Sequence, residues 1–226
     1  MNVRRTRVKV CGITRVEDAR EVVASGADAI GLVFYGPSSR SVSIAQAQAI
    51  VQSIPPLVGV VGVFVDPRED ELVEVLADVR LDLVQFHGQE SPQRCRQCSA
   101  PYIKAIKMRP GISLEQEAQR YAEGRGLLLD TYMPSLVGGT GRTFPWEQIP
   151  AGLERPVILA GGLTPENVGQ AIDAVQPFAV DVSSGVESRG GIKDGEKVRR
   201  FLAAVRAADA RRAIAQDEQA AQARSR

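Results

Sequence analysis

The stretch Arg7-Val8-Lys9-Val10-Cys11-Gly12-Ile13-Thr14-Arg15 decides the fold, because it offers a short apolar strand and then omits what a dinucleotide-binding sheet would place next. Side chains alternate along a strand, so Lys9 and Cys11 share one face while Val8 and Val10 take the other. The residues that follow do not form the G-x-G-x-x-G turn that opens a Rossmann crossover. Further strand candidates lie at 29–34, 58–65, 83–87, 102–108, 126–131, 156–160 and 178–182, which with 7–11 makes eight. Helical candidates alternate with them, near 16–25, 43–53, 68–79, 91–99, 113–124, 146–149, 165–174 and 194–208. Several open with a capping residue: Ser43, Asp66 before Pro67, Ser91 before Pro92, Ser113, and Thr164 before Pro165. Eight βα units predict an α/β protein built as a single closed (β/α)₈ barrel rather than an open doubly wound sheet.

A chain of 226 residues is long enough to bury such a core, and no linker-like segment divides it. The barrel is expected over 1–205. An Ala/Arg/Gln-rich extension, helical or disordered, is expected over 206–226. Lys and Arg total 28 against 27 Asp and Glu, so no global field favours nucleic acid or an anionic membrane. A small anionic ligand needs only local charge. No apolar run approaches the roughly 18 residues of a spanning helix, and three cysteines without a secretory pattern suit a reducing, cytoplasmic setting. Cys95 and Cys98 form a lone C-x-x-C, and His87 is the single histidine of the chain, so a zinc site lacks ligands and the pair reads as ordinary helix residues.

In a (β/α)₈ barrel the site lies at the C-terminal ends of the strands, and the polar residues of this chain cluster there. The first strand ends in Cys11, the fourth leads to His87, the fifth ends in Lys107, the sixth in Asp130, and the eighth carries Asp181 before Ser183-Ser184-Gly185. Asp130 follows Gly126-Leu127-Leu128-Leu129, with little around it to solvate a carboxylate. Burial there is expected to favour the protonated form that a general acid requires; the competing reading ties an ionised Asp130 to Lys9 or Lys107. A long glycine-rich loop follows at 131–144. Gly161-Gly162 and Ser184-Gly185 follow strands seven and eight, where this barrel class holds phosphate on backbone N–H groups. Arg40, after the second strand, has the fork geometry that pairs with a ligand carboxylate.

Lys9-Val10-Cys11-Gly12-Ile13-Thr14, Gln85-Phe86-His87-Gly88, Leu128-Leu129-Asp130, Gly138-Gly139-Thr140-Gly141-Arg142-Thr143-Phe144 and Val180-Asp181-Val182-Ser183-Ser184-Gly185-Val186-Glu187 together resemble the phosphoribosylanthranilate isomerase family of tryptophan biosynthesis. The resemblance runs from about residue 7 to 202. It implies an Amadori rearrangement of N-(5-phosphoribosyl)anthranilate, with Cys11 matching the family's general base and Asp130 its general acid. Arg40 matches the contact to the anthranilate carboxylate, and Gly161, Gly162, Ser184 and Gly185 match the phosphate loops. His87 and Asp181 fall on motif positions at the substrate rim. No metal or organic cofactor is implied, and the expected partner is a small phosphorylated substrate, with the protein a monomer or homodimer. A free thiol and a free Asp hold protons in the opposite order from the one this chemistry needs, so a cation beside Cys11 is expected to help, with Lys9 the candidate. Other readings of the same residues are a sugar-phosphate epimerase, a Schiff-base aldolase using Lys107, and a non-catalytic phosphate-binding barrel.

Overall fold

The computed structural model describes residues 5–130, 146, 149–150 and 152–224. Its strands are β1 (Arg7–Cys11), β2 (Ala29–Phe34), β3 (Gly59–Phe64), β4 (Leu83–Phe86), β5 (Tyr102–Lys107), β6 (Leu127–Asp130), β7 (Val157–Ala160) and β8 (Ala179–Val182). All eight pair in parallel in sequence order, and β8 returns to β1 to close the barrel. Parallel strands covered on both faces read as short, nearly continuous apolar runs, which is why every described strand end falls within one residue of its sequence expectation.

The helices are α1 (Val16–Ala24), α2 (Ile44–Gln52), α3 (Glu69–Asp78), α4 (Pro92–Arg96), α5 (Leu114–Arg120), α6 (Val168–Val175) and α7 (Gly195–Arg224). A two-stranded hairpin, β9 (Glu187–Arg189) and β10 (Ile192–Lys193), sits between β8 and α7. Ser43, Ser91 and Ser113 cap α2, α4 and α5 through their side chains. Asp66 and Thr164 do not cap helices. Asp66 adopts a positive φ of 46° and accepts from the Gln89 amide, and α3 starts later, with Glu71 accepting from Arg68 N–H. Thr164 opens a separate turn whose carbonyl accepts from Asn167 and Val168 before α6 begins. The loop at 131–144 lies outside the described residues. So does most of the helical candidate at 146–149, and only Trp146 and Ile149 of it are described.

The two strand faces bury different material. Val8, Val10, Tyr102, Ile106, Leu127 and Leu129 join the large core between barrel and helices. Their neighbours of opposite parity, Ile103, Ala105, Leu128 and Ala160, form a separate cluster in the lumen. Cys11 packs with Val33 and Val63 in a third. The lumen is therefore filled with side chains, as in other barrels of this type. α7 continues without a break through position 205, and beyond it Asp209 accepts from both the amide and the hydroxyl of Thr6 just before β1.

Candidate active site

The C-terminal ends of the strands enclose a cavity of about 500 Å³. Cys11, Arg40, His87, Asp130 and Asp181 all line it, as do the backbone segments Gly161-Gly162 and Ser184-Gly185. Residues drawn from six strands or their following loops thus meet on one rim, which single-position reasoning about Cys11 as a core residue does not explain. Lys107 is exposed and stands outside the lining, which leaves the aldolase reading without its lysine in the cavity.

Lys9 and Cys11 share the lumen face of β1, and the register sets Lys9 opposite Asp181 of β8. Lys9 Nζ donates to Asp181 Oδ1 at 2.8 Å, and both residues are buried. Burial opposes the Lys9 ammonium, but Asp181 and Cys11 outweigh it and hold its pKa above the ordinary value. Cys11 itself is 8% exposed. Burial pushes its thiol up, reinforced by Asp181 and only partly offset by Lys9 and Lys193. Lys9 thus acts on the thiol in the direction expected of a neighbouring cation, but its Nζ is also paired with Asp181, and burial of the sulfur outweighs it. Gly31, paired with Cys11 across the strands, supplies the room for the sulfur, since a Cβ there would stand 2.7 Å from Sγ.

Across the cavity, Asp130 is neither sealed nor bound to a lysine of β1. Its side chain is partly buried, 24% exposed, and its Oδ2 lies 3.4 Å from His87 Nε2. His87 Nδ1 in turn lies 2.8 Å from Nε2 of Gln85.

Arg40 is held before any ligand arrives. Its Nε and Nη2 donate to the two carboxylate oxygens of Glu187 at 2.8 and 2.6 Å, a bidentate pair. Lys193 Nζ donates to the same Glu187 Oε1 at 2.8 Å. Burial works against the Glu187 carboxylate, yet Arg40 and Lys193 outweigh it and lower its pKa. Burial lowers the pKa of Lys193 despite that partner. Two cations around one anion leave a net positive charge at this end of the cavity, with Nη1 of Arg40 outside the bidentate pair. The bonding of Arg40 to Glu187 and Lys193 is not evident from the sequence. Glu187 is visible there only as a motif position, and Lys193 is a lysine in a glycine-rich hairpin.

The loops after β7 and β8 line the cavity with backbone. Gly161 and Gly162 have φ of +85° and +68°, a region that side chains with a Cβ rarely enter. A Cβ on Gly185 would stand 1.9 Å from the Leu163 carbonyl oxygen, so the loops after β7 and β8 pack directly on each other. Just after β8 the chain makes a 3₁₀ turn over Ser184–Val186. Among the described residues no group of three His, Cys, Asp or Glu side chains is placed to hold a metal ion, and no helix is long and apolar enough to cross a membrane. Cys95 is buried in α4, its thiol pushed by burial to about 11, and Cys98 follows that helix; neither lines the cavity.

An eight-stranded barrel whose C-terminal rim gathers a thiol, a carboxylate, a braced arginine and two glycine loops invites comparison with known proteins. Residues 8–204 match the family model for N-(5'-phosphoribosyl)anthranilate (PRA) isomerase. The chain belongs to that family. An N-(5'-phosphoribosyl)anthranilate isomerase from Pseudomonas putida is 55% identical over 202 residues, 89% of this chain and 98% of the relative. A solved phosphoribosyl anthranilate isomerase in complex with reduced 1-(o-carboxyphenylamino)-1-deoxyribulose 5-phosphate is 41% identical, with a TM-score of 0.73 over 89% of this chain and 99% of that one. Monomers of the dimeric phosphoribosylanthranilate isomerase of Thermotoga maritima superpose with a TM-score of 0.75 at 40% identity, over 89% of this chain and 98% of theirs.

Proposed function

We propose that Cys11 and Asp130 divide the proton transfers of the Amadori rearrangement this chain catalyses, the isomerisation of N-(5-phosphoribosyl)anthranilate to 1-(2-carboxyphenylamino)-1-deoxyribulose 5-phosphate in tryptophan biosynthesis. One observation carries the reading: a thiol and a carboxylate line the same cavity as a braced arginine and the paired glycine loops. A cavity of about 500 Å³ suits a ligand of this size. The anthranilate carboxylate pairs with Arg40, and the phosphate lies on the backbone of Gly161, Gly162, Ser184 and Gly185. The ribose then spans the middle, with His87 and Asp181 along it.

Asp130 protonates the furanose ring oxygen as the bond from that oxygen to C1′ breaks, and the nitrogen lone pair forms the C1′=N bond of a protonated Schiff base. The Cys11 thiolate removes the proton from C2′, and the electron pair returns to nitrogen through an enolamine. Ketonisation moves the C2′ hydroxyl proton to the Asp130 carboxylate and delivers the thiol proton to C1′, which restores both groups. The substrate's amine is the electron source throughout, so the steps close without a cofactor.

The productive form holds one proton on Asp130 and none on Cys11, and burial pushes the Cys11 thiol up, against the thiolate that this form needs. If the two groups titrate as a pair, only the share of molecules with the proton on Asp130 reacts. The positive charge that develops on nitrogen beside Cys11 favours the thiolate at the step that uses it.

We place the protein in the cytoplasm as a monomer or homodimer acting on a small phosphorylated substrate. Its near-neutral charge balance gives it no general attraction to nucleic acid or membrane. A fluorescence assay following phosphoribosylanthranilate consumption tests the proposal. Cys11→Ala and Asp130→Asn are each expected to lose about 10²–10⁴ in kcat, the usual worth of a positioned acid or base. An inactive wild type would remove the activity, while full rate in both variants would remove only the roles.

A further inference from the structure

Gln85 is 1% exposed, a polar side chain on the lumen face of β4 between Val63 of β3 and Ile103 of β5. An apolar residue would fill that position without an amide to satisfy. The Gln85 Oε1 atom is buried with no hydrogen-bond partner among the described residues, so stability of the lumen does not account for the amide. What the amide does touch is His87, with Nε2 2.8 Å from the imidazole Nδ1.

The proton positions follow from the far side of the ring. His87 Nε2 faces a carboxylate oxygen of Asp130, and an ionised carboxylate only accepts, so this contact is attractive when Nε2 carries the hydrogen. Nδ1 is then a lone pair, and it requires a donor, which the Gln85 amide nitrogen supplies. The opposite amide orientation would put hydrogen on Nδ1 and leave an Nε2 lone pair against the carboxylate. The main chain around the ring is fixed independently. His87 N–H donates to the Phe64 carbonyl at 2.8 Å, and the buried Lys104 Nζ donates to the carbonyls of Phe86 and Gly88 at 3.3 and 2.9 Å. Glu90, ion-paired to Lys104 at 3.1 Å, accepts from the Gly88 amide. With the backbone held on both sides, the remaining freedom of His87 is its ring rotation and its tautomer.

We propose that Gln85 is a positioning residue that fixes His87 as the Nε2–H tautomer, so that His87 donates to Asp130 and sets the orientation of the carboxyl that delivers the proton. The proposal rests on the reading of Asp130 as the acid. Gln85 acts only through His87. The donated hydrogen bond also stabilises the carboxylate left behind once the proton has gone to the ring oxygen.

His87 is the single histidine of the chain, so nitrogen-15 NMR of uniformly labelled protein reads its tautomer without ambiguity. In the wild type, under conditions where the imidazole is neutral, Nδ1 is expected to show the shift of an unprotonated ring nitrogen and Nε2 that of a protonated one. In Gln85→Leu the two forms are expected to mix, and in Gln85→Glu, whose carboxylate accepts, to reverse toward Nδ1–H. Both variants are expected to lose about tenfold or more in kcat, the worth of a charge-assisted hydrogen bond, with KM within about twofold. An Nδ1–H tautomer in the wild type overturns the proposal without need of a variant. So does a Gln85→Leu protein that keeps both tautomer and kcat. A wild type with the expected tautomer but no isomerase activity would instead sink the functional reading while leaving the geometry of Gln85 and His87 in place.

Discussion

The two flanks of the cavity hold their charged groups in opposite ways. On the β1/β8 flank, Cys11, Lys9 and Asp181 are each under a tenth exposed, and the ammonium and carboxylate there satisfy each other. On the β4/β6 flank, His87 and Asp130 each leave about a quarter of the side chain open, 24%, and meet across 3.4 Å. On the roles proposed above, the contrast divides the labour: the buried flank shelters the sulfur proposed as the base, and the partly exposed flank holds the carboxyl proposed to trade protons with substrate.

Three measurements would break or sharpen that contrast. The largest effect is expected from Lys9→Met, which strands the Asp181 carboxylate in the lumen. Urea unfolding should show a loss of about 3–5 kcal/mol, the cost of an uncompensated buried charge. The matching truncation on the open flank, His87→Ala, should stay within about 1 kcal/mol. Equal losses would mean the flanks do not differ in the way described.

Second in size is Glu187→Gln, which removes the charge that braces Arg40. Glu187 contacts neither Cys11 nor Asp130 directly and reaches the thiol only through the charges of Arg40 and Lys193, so the main effect should be a rise of about tenfold in KM, as expected for loss of a charge-assisted bond, with a smaller change in kcat. A fall in kcat with constant KM would place Arg40 in the chemistry rather than in binding.

The smallest effect is in the pH profile. If Cys11 and Asp130 share a single proton, the reactive and resting forms carry the same charge, so kcat/KM should be flat through neutral pH. It should fall on the alkaline side, where that proton is lost. Because burial raises the Cys11 pKa above the ordinary thiol value, the fall should begin above the usual thiol range. A rate that instead climbs from neutral pH through that range would show that Asp130 need not be protonated.

The barrel was legible in the sequence because its strands are buried on both faces and stand out as apolar runs, and because Ser43, Ser91 and Ser113 mark helix starts with their own side chains. Asp66 and Thr164 misled for a local reason: a proline follows each, the usual mark of a first helical turn, yet Asp66 serves the Gln89 amide instead. Cys11, His87, Asp130 and Asp181 were legible by position alone, since strand ends face the site. What the sequence left hidden is how those side chains are held. Glu187 reaches Arg40 across 147 positions of chain, and no local pattern announces such a pair. The burial of Cys11 outweighing its neighbouring cation is equally invisible, because parity places Lys9 beside the thiol without revealing that Asp181 is paired with the same ammonium.

The Lys9–Asp181 pair joins residues 172 positions apart, at the seam where the last strand meets the first. A ribosome adding 5–20 residues per second needs on the order of 10–30 s to make the chain between them. Through that interval β1 has only one of its two neighbouring strands, and the surface that becomes the dry side of the cavity stays open to water. Barrel closure and the sealing of Cys11 are therefore one late event, so a chain halted before β8 carries its thiol on an unpaired strand edge, within reach of oxidants and of other nascent chains.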